Sequence, residues 1–191
     1  YQNPYVTIPE TVNYNGITWT VSGIGKYAFA SLSNITSITI PSTVTTIEQY
    51  AFNSCSSLAT ITIPPTVTSV GTSAFNNCSA LTRVNYQESS STTNLTYVDD
   101  WASIDFANDK ANPLYYAKNL YVVKTTSTMP ALSKVTSLGF KNSPTITAIK
   151  PYTFYNCTAL TSVTIPDSVM KIGSSAFEYC DSLTSIAIPD S

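Results

Sequence analysis

A 23-residue internal repeat constrains the fold of this chain more than any other feature of its sequence. Phe29, Phe52 and Phe75 lie 23 residues apart, and so do Phe154 and Phe177. Apolar residues or Cys recur three, six, nine and eleven residues after all five of these Phe residues, and Pro follows in four of the five copies. Self-similarity at a fixed period of this length is typical of a solenoid, in which each repeat is one supersecondary unit.

Each copy of the repeat contains a short strand and a turn. In the second copy Ile61 and Ile63 alternate with threonines, a period-2 pattern typical of a strand with one buried face. Pro64 has no N–H to donate and ends this strand. A second extended segment is expected at 67–70, and the Ala-Phe-x-x-Cys segment has the spacing of a helical or 3₁₀ turn. The columns predict a right-handed coil whose strands stack on those of neighbouring turns.

The repeats at 58–78 (LATITIPPTVTSVGTSAFNNC) and 160–180 (LTSVTIPDSVMKIGSSAFEYC) resemble the BspA-type leucine-rich repeat. The likeness is close over 24–86 and 146–191, and 5–25 resembles the irregular first turn of that family. The resemblance implies a β-rich, right-handed leucine-rich-repeat solenoid with short parallel strands and short 3₁₀ or helical turns. It also implies an extracellular or cell-surface location, because the family is abundant in surface proteins of Bacteroidetes and other host-associated bacteria.

The repeat is interrupted in the middle of the chain, where Phe75 and Phe154 lie 79 residues apart. Residues 101–123 carry aromatic side chains where the repeats carry aliphatic ones, around an Asn-Pro-Leu element at 112–114 that resembles a longer, degenerate repeat of the family. Two domains joined by a linker are the alternative to one domain. We expect a single solenoid domain over 1–191, with an irregular turn at 1–25, regular repeats at 26–86, interrupted repeats at 87–145 and regular repeats at 146–191.

The end of the chain and its residue types narrow the function. The chain stops without the polar capping turn that solenoids need, so we expect a fragment of a longer protein, with pairing of the open end to another molecule as the alternative. It has no His, which removes the usual general base and a common zinc ligand. A net charge of −2 argues against nucleic-acid binding, and no apolar run approaches the roughly 20 residues of a membrane span. We expect a protein that is not an enzyme, with no catalytic residue, metal or cofactor.

The four cysteines occupy one column of the repeat, three residues after Phe52, Phe75, Phe154 and Phe177. A side chain in such a column points into the core, where Cys behaves as a small apolar residue. Parallel side chains on a ladder rarely reach the dihedral angle of a disulfide. The sequence therefore predicts buried free thiols.

The outward positions of the first strand of each repeat carry mostly hydroxyls and predict a ladder on the face of a sheet. Leucine-rich repeats commonly bind partners on this face, whereas the alternative is that Thr merely tolerates an exposed strand. The expected partner is a protein, either a host matrix protein or another surface protein, and a glycan is the alternative. The candidate face comprises Ser37, Thr39, Thr60, Thr62, Arg83, Asn85, Ser162 and Thr164.

Aromatic and acidic residues near the interruption are candidate anchors for a ligand, because binding hot spots are enriched in Trp and Tyr. These anchors are Tyr97, Asp99, Asp100, Trp101, Tyr115 and Tyr116. The predicted function is a non-enzymatic surface module that binds host or microbial proteins through the solenoid face. The alternatives are a structural spacer in a larger surface protein and a carbohydrate-binding module that uses 97–116.

Overall fold

The structure is a computed structural model that describes residues 3–87, 98–125, 130–140 and 146–189, with the side chains at 124–125 and 130–133 not described. The strands in these ranges are β1 (Tyr5–Thr7), β2 (Thr11–Tyr14), β3 (Ile17–Thr20), β4 (Gly23–Ile24), β5 (Ser37–Thr39), β6 (Thr46–Ile47), β7 (Thr60–Ile63), β8 (Ser69–Val70), β9 (Arg83–Gln87), β10 (Asp105–Phe106), β11 (Leu120–Thr125), β12 (Pro130–Lys134), β13 (Ser137–Leu138), β14 (Ala148–Ile149), β15 (Ser162–Thr164), β16 (Lys171–Ile172) and β17 (Ser185–Ala187). The helical elements are α1 (Asp99–Ala102), a 3₁₀ turn (Asp109–Ala111) and α2 (Leu114–Ala117).

The strands form a solenoid of parallel ladders, which confirms the predicted leucine-rich-repeat architecture. The first strands of successive repeats make a six-stranded sheet in the order β1-β5-β7-β9-β11-β12, in which only β12 is antiparallel to its neighbour. The second strands make a sheet in the order β10-β8-β6-β4 on another side of the coil. After the interruption the same pattern resumes as β13-β15-β17 and β14-β16. The hairpin β2–β3 stands apart as a two-stranded antiparallel ribbon.

The columns of the repeat become columns of the core. Ile38, Ile61 and Val84 are aligned in register and are fully buried. The ring of Phe52 stacks between those of Phe29 and Phe75, with centroids 5.3 and 5.1 Å apart. Each buried aliphatic or aromatic side chain contributes about 1.5–3 kcal/mol by leaving water, and the stacking of adjacent repeats is what removes that surface.

The turn around each Phe makes hydrogen bonds to its neighbouring repeats in a fixed direction. Tyr50 and Ser54, two residues before and after Phe52, have positive φ angles of 57° and 61°. The segment is therefore a run of i→i−3 turns and not a continuous helix. Its alternate N–H groups donate to the next repeat, from Tyr50 to the Thr72 carbonyl at 3.2 Å and from Phe52 to the Ala74 carbonyl at 2.9 Å. Each turn thus presents N–H donors towards the following repeat and carbonyl acceptors towards the preceding one.

A joining segment, defined here as residues 98–122, accepts the donors of the first block of repeats. Where the next regular turn would lie, the Ser73 N–H donates to Asn108 Oδ1 at 3.0 Å. The Phe75 N–H donates to the Lys110 carbonyl at 3.1 Å. Three side-chain or backbone acceptors in this segment therefore replace those of a regular repeat, since the hydroxyl of Tyr116 likewise accepts from the Asn77 N–H at 2.9 Å.

The same segment supplies donors to the second block of repeats. Asn112 Nδ2 donates to the carbonyls of Tyr152 and Thr153 at 2.7 and 3.0 Å. Trp101 Nε1 donates to the same Thr153 carbonyl at 2.9 Å. Asn112 is fully buried, and its Oδ1 accepts the Leu114 N–H at 2.9 Å, so both ends of its amide are used. The joining segment therefore supplies acceptors for N–H groups of the first block and donors for carbonyl groups of the second block.

A Gly71→Ala substitution is expected to lower the free energy of unfolding by about 1–3 kcal/mol, because an added methyl has no room. A Cβ at Gly71 would lie 2.5 Å from the backbone N of Gln49, on the preceding repeat. Gly25 occupies the same column, yet a Cβ there meets nothing within 4 Å. Chemical denaturation of both variants checks this. A loss for Gly25→Ala as large as that for Gly71→Ala would contradict the steric explanation.

Candidate binding face

The outward side chains of the six-stranded sheet form a continuous row across the strands, and we call this surface the ladder face. Thr39 is aligned with Thr62 and Thr62 with Asn85, as the repeat spacing predicts. Within the interrupted part of the chain the row continues with Tyr121 on β11 and Lys134 on β12. Asn85 also bridges to its neighbour, since its Nδ2 donates to Thr62 Oγ1 at 3.4 Å.

Two sets of described hydroxyls differ in whether they bond to a neighbouring repeat. Threonines beside the strands donate to carbonyls of the preceding repeat, as from Thr43 Oγ1 to the Val21 carbonyl at 2.7 Å and from Thr66 Oγ1 to the Val44 carbonyl at 2.8 Å. On the ladder face, by contrast, the hydroxyls of Ser37, Thr39 and Thr60 make no hydrogen bond within the described part of the chain. These face hydroxyls are half-buried and remain available to a ligand.

A cationic and aromatic pair lies near the middle of the ladder face. The guanidinium of Arg83 sits 5.0 Å from the centre of the Tyr121 ring, within the range of a cation–π contact. Arg83 is exposed and makes no ion pair with any described residue. The sequence indicated Arg83 but not Tyr121 or Lys134. Their place on the face depends on where the ladder resumes within the interrupted part of the chain, and the 23-residue spacing does not predict that position.

The candidate face predicted from the sequence is divided in two by the structure. Ser162 and Thr164 lie on β15, in the sheet β13-β15-β17. The antiparallel β12 ends the six-stranded sheet before that second sheet begins. Ser162 aligns with Ser185, whereas Thr164 aligns with Ala187, so the second row of hydroxyls is shorter. The eight predicted residues therefore belong to two patches, of which the ladder face is the larger.

Trp101 was expected to be an exposed anchor, and this expectation is wrong. Its side chain is fully buried, with its ring 5.7 Å from that of Tyr86 and 5.6 Å from that of Phe106. The indole is buried because it fills the core of the joining segment and places its N–H on a carbonyl of the second block. A buried indole offers no platform to a sugar.

The other candidate anchors have structural partners or lie elsewhere. Asp99 and Asp100 open α1, where Asp100 Oδ2 accepts a hydrogen bond from the Tyr86 hydroxyl at 3.3 Å. Tyr115 stacks on Tyr155 with centroids 5.8 Å apart. Tyr116 uses its hydroxyl to accept from the first block of repeats, as described above. Tyr97 lies outside the described residues.

The acidic residues near the interruption do not converge. Asp105 lies on β10 and Asp109 in the 3₁₀ turn, where its Oδ1 accepts the Lys110 N–H at 2.8 Å. Among the residues that the structure describes, no group of three or more acidic, Cys or His side chains could hold a metal ion. No described helix is long and apolar enough to cross a membrane.

The four cysteines are free and buried, as the sequence predicts. Burial raises the pKa of Cys78 and of Cys157 to about 12 and that of Cys180 to about 11. Three of the thiols also donate a hydrogen bond to a carbonyl of the preceding repeat, as Cys55 Sγ does to the Phe29 carbonyl at 3.0 Å. The column is thus part of the core and carries no reactive thiolate.

These thiols are expected to stay unreactive towards a disulfide reagent at pH 8 in the folded protein and to react fully after denaturation. Since their folded pKa values exceed the ordinary value of 9.0, the stability they contribute is present below pH 9 and is lost as pH rises towards about 12. Ellman titration with and without denaturant measures the first effect. Rapid labelling of the native chain would show that the column is open to solvent.

Comparisons with known proteins agree with this architecture. A family model described as the BspA type leucine-rich repeat region matches residues 6–121 and 130–191 in 6 copies. No curated protein matches the chain in sequence.

Similar solved structures include the leucine-rich repeat protein TpLRR of T. pallidum, with 22% identity and a TM-score of 0.42 over 97% of this chain and 59% of that one. A leucine-rich cell surface protein from Faecalibacterium prausnitzii A2-165 has 21% identity and a TM-score of 0.38 over 98% of this chain and 70% of that one. The pneumococcal vaccine antigen PcpA has 19% identity and a TM-score of 0.31 over 97% and 60%. This chain therefore spans about 60% of the length of TpLRR and of PcpA.

Proposed function

The chain belongs to the BspA-type leucine-rich-repeat family, and from that premise we propose that it is a non-enzymatic adhesion module of the cell surface that binds a protein ligand through its ladder face. The observation that supports this proposal is the aligned row of outward polar side chains beside the pair of Arg83 and Tyr121. The hydroxyls of Thr43 and Thr66 connect repeats, whereas those of Ser37, Thr39 and Thr60 on the face have no hydrogen-bond partner among the described residues. A host matrix protein or another microbial surface protein is the ligand class we propose.

The mechanism of binding would be additive. Each hydrogen bond to a face hydroxyl contributes only about 0.5–1.5 kcal/mol net, so affinity requires many of them at once. The parallel strands hold these groups in fixed rows about 4.8 Å apart, which lowers the entropy lost when a ligand docks. Arg83 on Tyr121 would be the centre of such an interface, because Arg and Tyr are enriched among binding hot spots.

A structural spacer is the alternative that the test below separates from adhesion. The carbohydrate-binding alternative at 97–116 loses its support, because Trp101 is buried and Tyr115 and Tyr116 pack against the repeats. A spacer would show no preference among ligands and no dependence on the residues of the ladder face.

A matched pair of double variants tests the proposal. Thr39→Gln with Thr62→Gln removes two hydroxyls and adds neutral bulk on the ladder face, whereas Thr46→Gln with Ser69→Gln makes the same change on the sheet β10-β8-β6-β4. Surface plasmon resonance against immobilised matrix proteins and whole microbial cells should show saturable binding. We expect the first variant to lose at least tenfold in affinity and the second to bind like the unmodified chain. Equal binding by all three would refute recognition through this face.

A further inference from the structure

Resting on the proposed function, we propose that Arg83, Tyr121 and Lys134 form an anion-recognition centre on the ladder face that receives a carboxylate-bearing segment of the partner protein. Tyr121 is aligned with Asn85 of β9 on one side and with Lys134 of β12 on the other. The three side chains therefore lie on the same face of adjacent strands.

The guanidinium of Arg83 keeps its hydrogen-bonding groups available, as far as the described residues show. It lies 5.0 Å from the centre of the Tyr121 ring, and none of its N–H groups donates to a described residue. Those N–H groups match the two oxygens of a carboxylate. No carboxylate of the described residues forms an ion pair with Arg83, so nothing in this part of the chain occupies the position.

The charges around this centre are one-sided. The chain as a whole has a net charge of −2. The described outward positions of the ladder face nevertheless carry no Asp or Glu, and they consist of hydroxyls, amides, Tyr and Val123 besides the two cations. Placing two of the nine cationic residues on a face without acids creates a local positive potential that attracts an anion.

The small number of cations decides which class of anion fits. A sulfated polysaccharide or a nucleic acid carries charge on nearly every unit and needs an extended basic stripe. Among the described outward positions of the ladder face, only Arg83 and Lys134 supply positive charge, and neutral hydroxyl rows flank them. A peptide segment in which a few carboxylates lie among neutral residues matches that pattern.

The experiment uses defined peptides as probes. A fluorescent Gly/Ser peptide that contains three Glu residues is titrated against the full chain, with the same peptide carrying Gln as the control ligand and heparin as the polysaccharide probe. We expect the Glu peptide alone to bind saturably and to weaken as salt rises. Arg83→Gln and Lys134→Gln should each weaken it, the first by about tenfold or more. Lys171→Gln, which removes an exposed cation from β16, should leave binding unchanged.

Several results would overturn the proposal. Equal binding of the Glu and Gln peptides, no binding of the Glu peptide at millimolar concentration, or an equal effect of Lys171→Gln would each do so. Tighter, Arg83-dependent binding of heparin would replace the peptide with a polysaccharide. If a partner protein depends on Thr39 and Thr62 but not on Arg83, the anion centre fails while the proposed function stands. If neither set of variants weakens partner binding, both fail.

Discussion

An Asn112→Asp variant is expected to lose about 3–5 kcal/mol of unfolding free energy at pH 7, because it creates an uncompensated buried charge. Asn112 is fully buried, and its Nδ2 donates to two carbonyl oxygens. A carboxylate in its place would face those same oxygens without a proton to share. Because burial and these acceptors favour the protonated form, the loss should shrink as pH falls. Guanidinium denaturation at pH 5 and pH 7 measures both effects.

The matched control for this change is Asn53→Asp. Asn53 Oδ1 accepts a hydrogen bond from Asn76 Nδ2 at 3.0 Å, so a carboxylate preserves the acceptor. Asn53 is also only half-buried, and we expect its variant to stay within about 0.5 kcal/mol of the unmodified chain. Similar losses for the two variants would mean that the hydrogen bonds of Asn112 to the second block do not matter for stability.

A Trp101→Ala variant is expected to lose about 3–5 kcal/mol, the usual cost of deleting a buried aromatic side chain. The indole both fills the core beside Tyr86 and Phe106 and donates to the Thr153 carbonyl. Trp101→Phe keeps part of the volume but not the N–H, so its loss should be smaller.

The second tryptophan of the chain is the control for the first. Trp19 lies on the hairpin β2–β3 and is 56% exposed, so Trp19→Ala should cost less than about 1 kcal/mol. Thermal and chemical unfolding compare the two variants. A small loss for Trp101→Ala would indicate that the joining segment is peripheral to the core.

The sequence predicts the regular part of this molecule well, for a physical reason. In the repeats, one period sets both the strand register and the direction of each side chain. The burial of Phe52, the free thiol of Cys78 and the alignment of Thr39 with Thr62 therefore follow from spacing alone. Each of these positions is copied from repeat to repeat, so that an error at one would be visible against its neighbours.

The 23-residue spacing does not predict the structure of the interrupted part of the chain. There, side chains make several of the hydrogen bonds that backbone groups make between regular repeats. Trp101 and Asn112 donate hydrogen bonds to the second block of repeats. Their residue types do not distinguish this structural role from ligand binding. The sequence offered one local signal for the role of Asn112, namely the Asn-Pro-Leu element at 112–114. The structure shows that this Asn is buried, and a buried amide must have hydrogen-bond partners.

Tyr121 was missed because it lies 36 residues after its partner Asn85, which is not a multiple of 23. Lys134 was missed because the antiparallel pairing of β12 leaves no mark in the spacing.

From the hydrogen bonds that the joining segment makes to both blocks, we propose that it connects the repeats into a single cooperative solenoid that holds the ladder face rigid. Hydrogen–deuterium exchange of the unmodified chain and of Asn112→Asp tests it most directly. We expect amides of the first block, such as those of Phe52 and Phe75, and of the second block, such as that of Phe154, to lose protection together in the variant. If the amides at 26–86 keep the protection of the unmodified chain in Asn112→Asp while those at 146–189 lose theirs, the result would contradict the claim and favour two independent domains.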